Sequence, residues 1–228
     1  MKPIREFATR EALADAAAAG ILQALRTGVL QRGVGLAALS GGETPELTYR
    51  KLATQPYHWA KVTFLMVDER FVPLSDPDSN EAMLRRTLAP ALAAGATLLP
   101  LFADGVSLEE AAARADTIYA EKAIDIAVMG MGNDGHTASW FPQSPQLGSA
   151  VDPNNRHSVI AVTAPGASGS QQRLTLTRSA IGRAGAIALL ITGGAKLALL
   201  EDCERASLPV DILFDFDLDE TTETCWAP

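Results

Sequence analysis

The chain has 228 residues, of which 47% are hydrophobic, 20% charged and 6% aromatic, enough apolar material for a sizeable core and incompatible with intrinsic disorder. Lys and Arg total 19 against 27 Asp and Glu, a net charge of −8 with no basic run. That balance argues against a nucleic-acid or anionic-membrane partner and leaves room for a small anionic ligand held by a few local cations. Cys203 and Cys225 form neither a disulfide framework nor a CxxC motif, which fits a reducing cytoplasm.

In chain order, the first segment carries Glu6, Glu11 and Asp15 where a signal peptide would need an apolar core, and its alanines and leucines recur at helical spacing over 9–28. A strand is expected at 34–39, then a helix at 45–54 with Thr44 as its N-cap and Pro45 at its first position. A strand at 62–67 is followed by the turn cluster SDPDSN and a helix at 79–93. Further on, a strand at 97–102, a helix at 107–121 and strands at 125–130, 158–163 and 186–192 lead to a last helix at 195–203. The apolar run around the sixth strand, GAIALLITGGA, is broken by paired glycines and is too short to span a bilayer. Several strands are apolar on consecutive positions, which implies burial on both faces. The expected fold is therefore α/β, a mainly parallel, Rossmann-like sheet flanked by helices on both faces. No repeat or linker divides residues 1–228, so a single domain is expected.

Right-handed crossovers would bring the C-terminal ends of the strands to one edge, where ligands bind. The unusual residues follow strands: Ser40 to Thr44 after the first, Asp68, Glu69 and Arg70 after the second, GMGNDGHTASWFP after the fourth, and Thr192 to Lys196 after the sixth. One pocket is expected from the four loops.

Gly41 and Gly42 leave a strand and enter a helix, so their N–H groups can hold a phosphate at the positive helix end. The TGGAK loop repeats this and adds Lys196 at a helix start, where a cation opposes the dipole unless an anion lies between them. Asp134, Gly135 and His136 place a carboxylate and an imidazole in a glycine-rich loop, a pairing suited to proton transfer near neutral pH. Asp68 could enter the same pocket; two carboxylates and one histidine could also bind a metal, although a second histidine ligand is missing from the pattern. Arg173, in a polar segment after the fifth strand, offers a fork for phosphate oxygens, as does Arg70. His58 and His157 lie in ordinary polar surroundings.

Five motifs, LSGGETP, VDERFVPLSDPDSN, MGMGNDGHTASWFP, QRLTLT and ITGGAK, stand in an order and spacing that resembles the 6-phosphogluconolactonase family, from about Glu11 to Trp226. That family lies in the sugar-phosphate isomerase-like superfamily, which also contains glucosamine-6-phosphate deaminase. The resemblance implies hydrolysis of 6-phospho-D-glucono-1,5-lactone to 6-phosphogluconate in the oxidative pentose phosphate pathway, without metal or organic cofactor. It casts His136 as the general base with Asp134 as its partner, and Asp68 and Arg70 as the active-site DER motif. Arg173 and Lys196 match the family's phosphate-binding cations; Gly41, Gly42 and Thr44 match its phosphate-facing loop. The deaminase alternative carries a glutamate seven residues beyond the aspartate of DGH and a tyrosine after DE; here those positions hold Phe141 and Arg70. Against a non-catalytic sugar-phosphate sensor stand the intact Asp134 and His136 and the lack of a helix-turn-helix signature.

Overall fold

The apolar runs become strands buried along their whole length: every residue of Gly35–Leu39 and of Ile126–Met129 is buried, as only a sheet covered on both faces allows. The structure, a computed structural model, describes residues 4–120, 122–204, 206–216 and 222–228. Its elements in the first half are β1 (Ile4–Glu6), α1 (Arg10–Arg32), β2 (Gly35–Leu39), α2 (Glu43–Ala53), β3 (Val62–Met66), β4 (Asp68–Arg70), α3 (Asn80–Thr87), α4 (Ala89–Ala93) and β5 (Thr97–Leu98). In the second half come α5 (Leu108–Tyr119), β6 (Ile126–Met129), α6 (Leu147–Ala150), β7 (Val159–Thr163), β8 (Gln172–Leu176), α7 (Arg178–Ile181), β9 (Ile187–Thr192), α8 (Gly194–Glu201) and β10 (Thr222–Ala227).

Among the described residues, seven strands form a parallel sheet in the order β1-β10-β9-β6-β2-β3-β5, flanked by helices. The chain runs outward from β2 through β3 to β5, then returns to the other side of β2 as β6. The β2/β6 boundary is thus a topological switch point, and the crevice beyond its carboxyl ends is the place such sheets reserve for ligands. Helix α1, capped by the Thr9 side chain, is long and apolar enough to cross a membrane by length and composition, yet its Leu13, Ala17, Ile21 and Leu25 stripe is packed into the core.

Four expectations need correction. The 158–163 strand lies outside the parallel sheet: as β7 it pairs antiparallel with β8, which pairs antiparallel with β4 in a second sheet of three strands. The DER segment, expected as a loop, and the polar QRLTL segment are the other two strands of that sheet, because their polar side chains find partners on neighbouring loops and at the start of α3. The helix at 79–93 is two, α3 and α4, divided at Leu88, since Pro90 cannot continue the hydrogen-bond ladder of α3. Thr44 is not a cap: α2 begins at Glu43, and Gly42 at φ 108° is the N-cap, a conformation a threonine would not adopt. Residue 121, the expected end of the fourth helix, lies outside the described residues.

Candidate active site

A cleft of about 180 Å³ opens at the carboxyl ends of β2 and β6. Gly41, Gly42, Thr44, Asp68, Arg70, His136, Arg173 and Lys196 all line it, and Asp134 stands behind His136. The four loops therefore meet at one cleft as expected, and the unforeseen second sheet joins them there.

One wall consists of two helix starts. Gly42 before α2 and Gly193 before α8 both have positive φ, 108° and 86°, and neither helix has a side-chain cap. The first-turn N–H groups are left for a ligand, and the two dipoles point positive ends at one space. Thr44 Oγ1 and Thr192 Oγ1, 3.0 Å apart, tie the two loops together. Lys196, in the first turn of α8, is half-buried; desolvation of its ammonium holds its pKa below the usual lysine value, with Glu43 acting the other way. An anion here would satisfy the dipoles and Lys196 together.

The opposite wall is the second sheet. Alternation along β4 sends Asp68 and Arg70 toward the cleft and Glu69 away from it. Asp68 is buried; Ser139 Oγ donates to its Oδ2 at 2.7 Å, and Asn80 Nδ2 donates to its carbonyl at 3.0 Å. Arg70 Nη1 donates to Asn80 Oδ1 at 2.8 Å and to the Asp78 carbonyl at 2.7 Å. Arg173 is 3% exposed and donates to the carbonyls of Ser170 and Ser168 at 2.6 and 2.7 Å. Glu69 accepts from the N–H groups of Arg70, Asn80 and Glu81 and from Ser79 Oγ, so it closes the N-terminus of α3. Burial pushes its carboxyl up to about 7 against those donors.

The floor carries the imidazole. His136 Nδ1 lies 2.5 Å from Asp134 Oδ1, and among the described residues Nε2 has no hydrogen-bond partner. Burial raises the Asp134 pKa, but the hydrogen bond and charge of His136 outweigh it and hold the carboxyl below its ordinary range. An ionised Asp134 keeps the proton on Nδ1 and the lone pair on Nε2. Ala138 at φ 50° and the Thr137–Trp140 bridge fold the next residues tightly, which brings Ser139 to Asp68 and buries Trp140, its Nε1 donating to the Leu176 carbonyl. Among the described residues, no three His, Cys, Asp or Glu side chains converge as a metal site. His157 pairs instead with Asp116, at 2.7 Å.

Sequence reasoning missed Asn80, Ser139 and Glu69. Asn80 and Glu69 belong to motifs already singled out, but their work is done through space: Asn80 joins Asp68 to Arg70, and Glu69 fixes the helix on which Asn80 stands. The polar SDPDSN cluster that holds Asn80 reads only as a cap and turn, and Ser139 stands in the loop already noted for His136.

A parallel sheet with an uncapped pair of helix starts, a cationic wall and a carboxylate-backed histidine at its switch point suits an enzyme acting on a small anionic substrate. The chain matches the model of glucosamine-6-phosphate isomerases/6-phosphogluconolactonase over residues 8–223, and it belongs to that family. It is 42% identical to a 6-phosphogluconolactonase of Caulobacter vibrioides, over 94% of this chain and 93% of that protein. A 6-phosphogluconolactonase of Pseudomonas putida is 37% identical over 99% of this chain and 93% of its own length. The crystal structure of a 6-phosphogluconolactonase from Shewanella baltica superimposes with a TM-score of 0.86 at 28% identity, covering 100% of this chain and 98% of that one.

Proposed function

We propose that this enzyme hydrolyses 6-phospho-D-glucono-1,5-lactone to 6-phosphogluconate, with His136 as general base toward water. The observation that carries the reading is the Asp134–His136 pair set in a cleft whose other walls are cationic or lined by N–H groups. Nε2 of His136 takes a proton from water as the water oxygen attacks the lactone carbonyl. The ring C–O bond then breaks as the proton returns to the leaving ring oxygen, and the carboxylic acid so formed releases its remaining proton to solvent as the carboxylate. A lactone is an activated acyl group, so no Ser or Cys nucleophile is needed.

The phosphate would rest on the Gly41–Gly42 turn beside Thr44, with Lys196 and Arg173 as its cations, and its binding energy would orient the carbonyl toward the water. Arg70 and the immobilised Asp68 form the wall beside the reacting carbon, where Arg70 stabilises the developing oxyanion. Phe141, not a carboxylate, lies against His136, which favours lactone hydrolysis over a deaminase that must shuttle protons among several sugar atoms. The substrate is a small molecule, and the cytoplasm is its expected place of encounter.

A coupled assay that follows 6-phosphogluconate release, corrected for spontaneous hydrolysis of the lactone, tests this directly. No release above the uncatalysed rate would refute it.

A further inference from the structure

One hydrogen bond does not fix an imidazole, because the ring can still swing about the Asp134 contact. Two neighbours stop His136 from doing so. Gly132 lies so close to the ring edge that a Cβ on it would sit 2.1 Å from Cε1. The ring of Phe141 lies on the imidazole face, with centroids 4.0 Å apart and planes inclined by 28°. Phe141 is itself buried, and the Arg173 guanidinium lies over the same aromatic group, its Cζ 5.6 Å from the centroid. Arg173 is pinned in turn by the Ser168 and Ser170 carbonyls. Base, aromatic ring and cation thus form one continuous series of contacts, held by π-stacking on one side and by cation–π attraction on the other.

We propose that Phe141 is a positioning residue: it holds His136 with Nε2 toward the cleft and fixes the separation between that base and Arg173. Phe141 does not line the cleft, so it sets the geometry of the substrate without touching it. A cation that grips the phosphate and a base that serves the carbonyl must stand at a spacing matched to the substrate, and a flat, rigid ring with two torsions is suited to fix that spacing. An aliphatic side chain of similar volume would fill the space without offering the flat face. The proposal rests on the lactonase reading for its kinetic test and on geometry alone for its spectroscopic one.

The test compares wild type, Phe141→Leu and Phe141→Tyr on the phosphorylated lactone and on plain glucono-1,5-lactone. Phe141→Leu should lower kcat by about tenfold to a hundredfold on both substrates, the cost of a misplaced catalytic group, while Phe141→Tyr stays within about threefold of wild type. KM should rise in the Leu variant for the phosphorylated lactone alone, because only that substrate uses Arg173. Unchanged kcat in the Leu variant, or a Tyr variant as impaired as Leu, overturns the proposal. Should Phe141→Leu melt well below the wild type, Phe141→Met replaces it as the non-aromatic variant. NMR of the histidine rings supplies the second readout: the His136 ring signals should be one sharp set in wild type and Phe141→Tyr, and broadened or doubled by ring motion in the non-aromatic variant. One sharp set in all three overturns the proposal. Wild-type protein that hydrolyses neither lactone would refute the activity, and the ring-signal comparison would still decide the role of Phe141.

Discussion

Arg70 and Arg173 stand directly opposite each other on the antiparallel strands β4 and β8. Like charges in that position repel, and burial adds to the difficulty. Desolvation holds the Arg173 pKa below the usual arginine value, with Asp68 pulling it up and Arg70 pushing it down. The pair persists because each guanidinium is held by protein oxygens, Arg70 by Asp78 and Asn80, Arg173 by Ser168 and Ser170. An anion in the cleft relieves what repulsion remains. Inorganic phosphate should therefore raise Tm in a concentration-dependent way, by the equivalent of about 2.7 kcal/mol at a hundredfold excess over its Kd. Thermal melts across a phosphate series measure this, and a flat response would remove the anion site from this cleft.

His136→Asn should cost roughly a hundredfold to ten-thousandfold in turnover, the range for a lost general base. Wild-type turnover should rise with pH, since a general base acts only in its unprotonated form. Because His136 holds Asp134 below the ordinary carboxylate range despite the opposing effect of burial, Asp134 stays ionised beneath that rise and is not its source. Rate against pH, with spontaneous hydrolysis subtracted at each point, checks both statements.

Lys196→Ala should weaken use of the phosphorylated lactone by on the order of 2 to 4 kcal/mol in kcat/KM and plain glucono-1,5-lactone far less. The pKa of Lys196 is lowered by burial, so its charge disappears at a lower pH than that of a solvated lysine. KM for the phosphorylated substrate should accordingly climb earlier on the alkaline side than KM for the plain one. Equal losses on both lactones would place Lys196 outside the phosphate site.

Gly41 is required by its neighbour and not by its torsions. A Cβ there would lie 1.9 Å from Asn80 Oδ1, the atom that accepts from Arg70. Gly41→Ala should displace Asn80, release Arg70 and depress kcat by at least about tenfold. Asn80→Ala in the same background should restore Tm by removing the clash and leave kcat low.

Glu69 should imprint a slope on stability. Its folded carboxyl titrates at about 7 because of burial, against an unperturbed value of 4.5, so between those values the folded state holds more protons than the unfolded one. Stability should fall as pH rises through that window, by about 3 kcal/mol in total, and level off above it. Chemical denaturation of wild type and Glu69→Gln between those limits measures the difference; parallel curves would refute the assignment.

The parallel sheet was legible because β2, β6 and β9 are apolar at consecutive positions, a pattern that implies burial on both faces. The cleft residues were legible because glycines and charges cluster after those strands. The second sheet was not: Arg173 and Thr175 are buried polar residues that meet Phe141 and Ser139, which come from elsewhere in the chain. Nothing local distinguishes such a strand from a solvated loop. Thr44 shows the converse limit, since its sequence is that of a good cap but the loop takes its turn at Gly42, and the threonine serves instead as a tether to Thr192. β1 and β10 escaped notice because Ile4–Glu6 and Thr222–Ala227 mix polar and apolar residues and gain their strand character from pairing, β1 with β10 and β10 with β9.

β10 is the last strand in chain order, yet it lies inside the sheet, between β1 and β9. Its end also supports the second glycine loop: Gly193 N–H donates to the Ala227 carbonyl at 2.8 Å, and Trp226 Nε1 donates to the Gly193 carbonyl at 3.1 Å. The shape of the Lys196 loop thus depends on a strand that contributes no residue to the cleft itself, so a substitution at Trp226 reaches the phosphate cradle from behind.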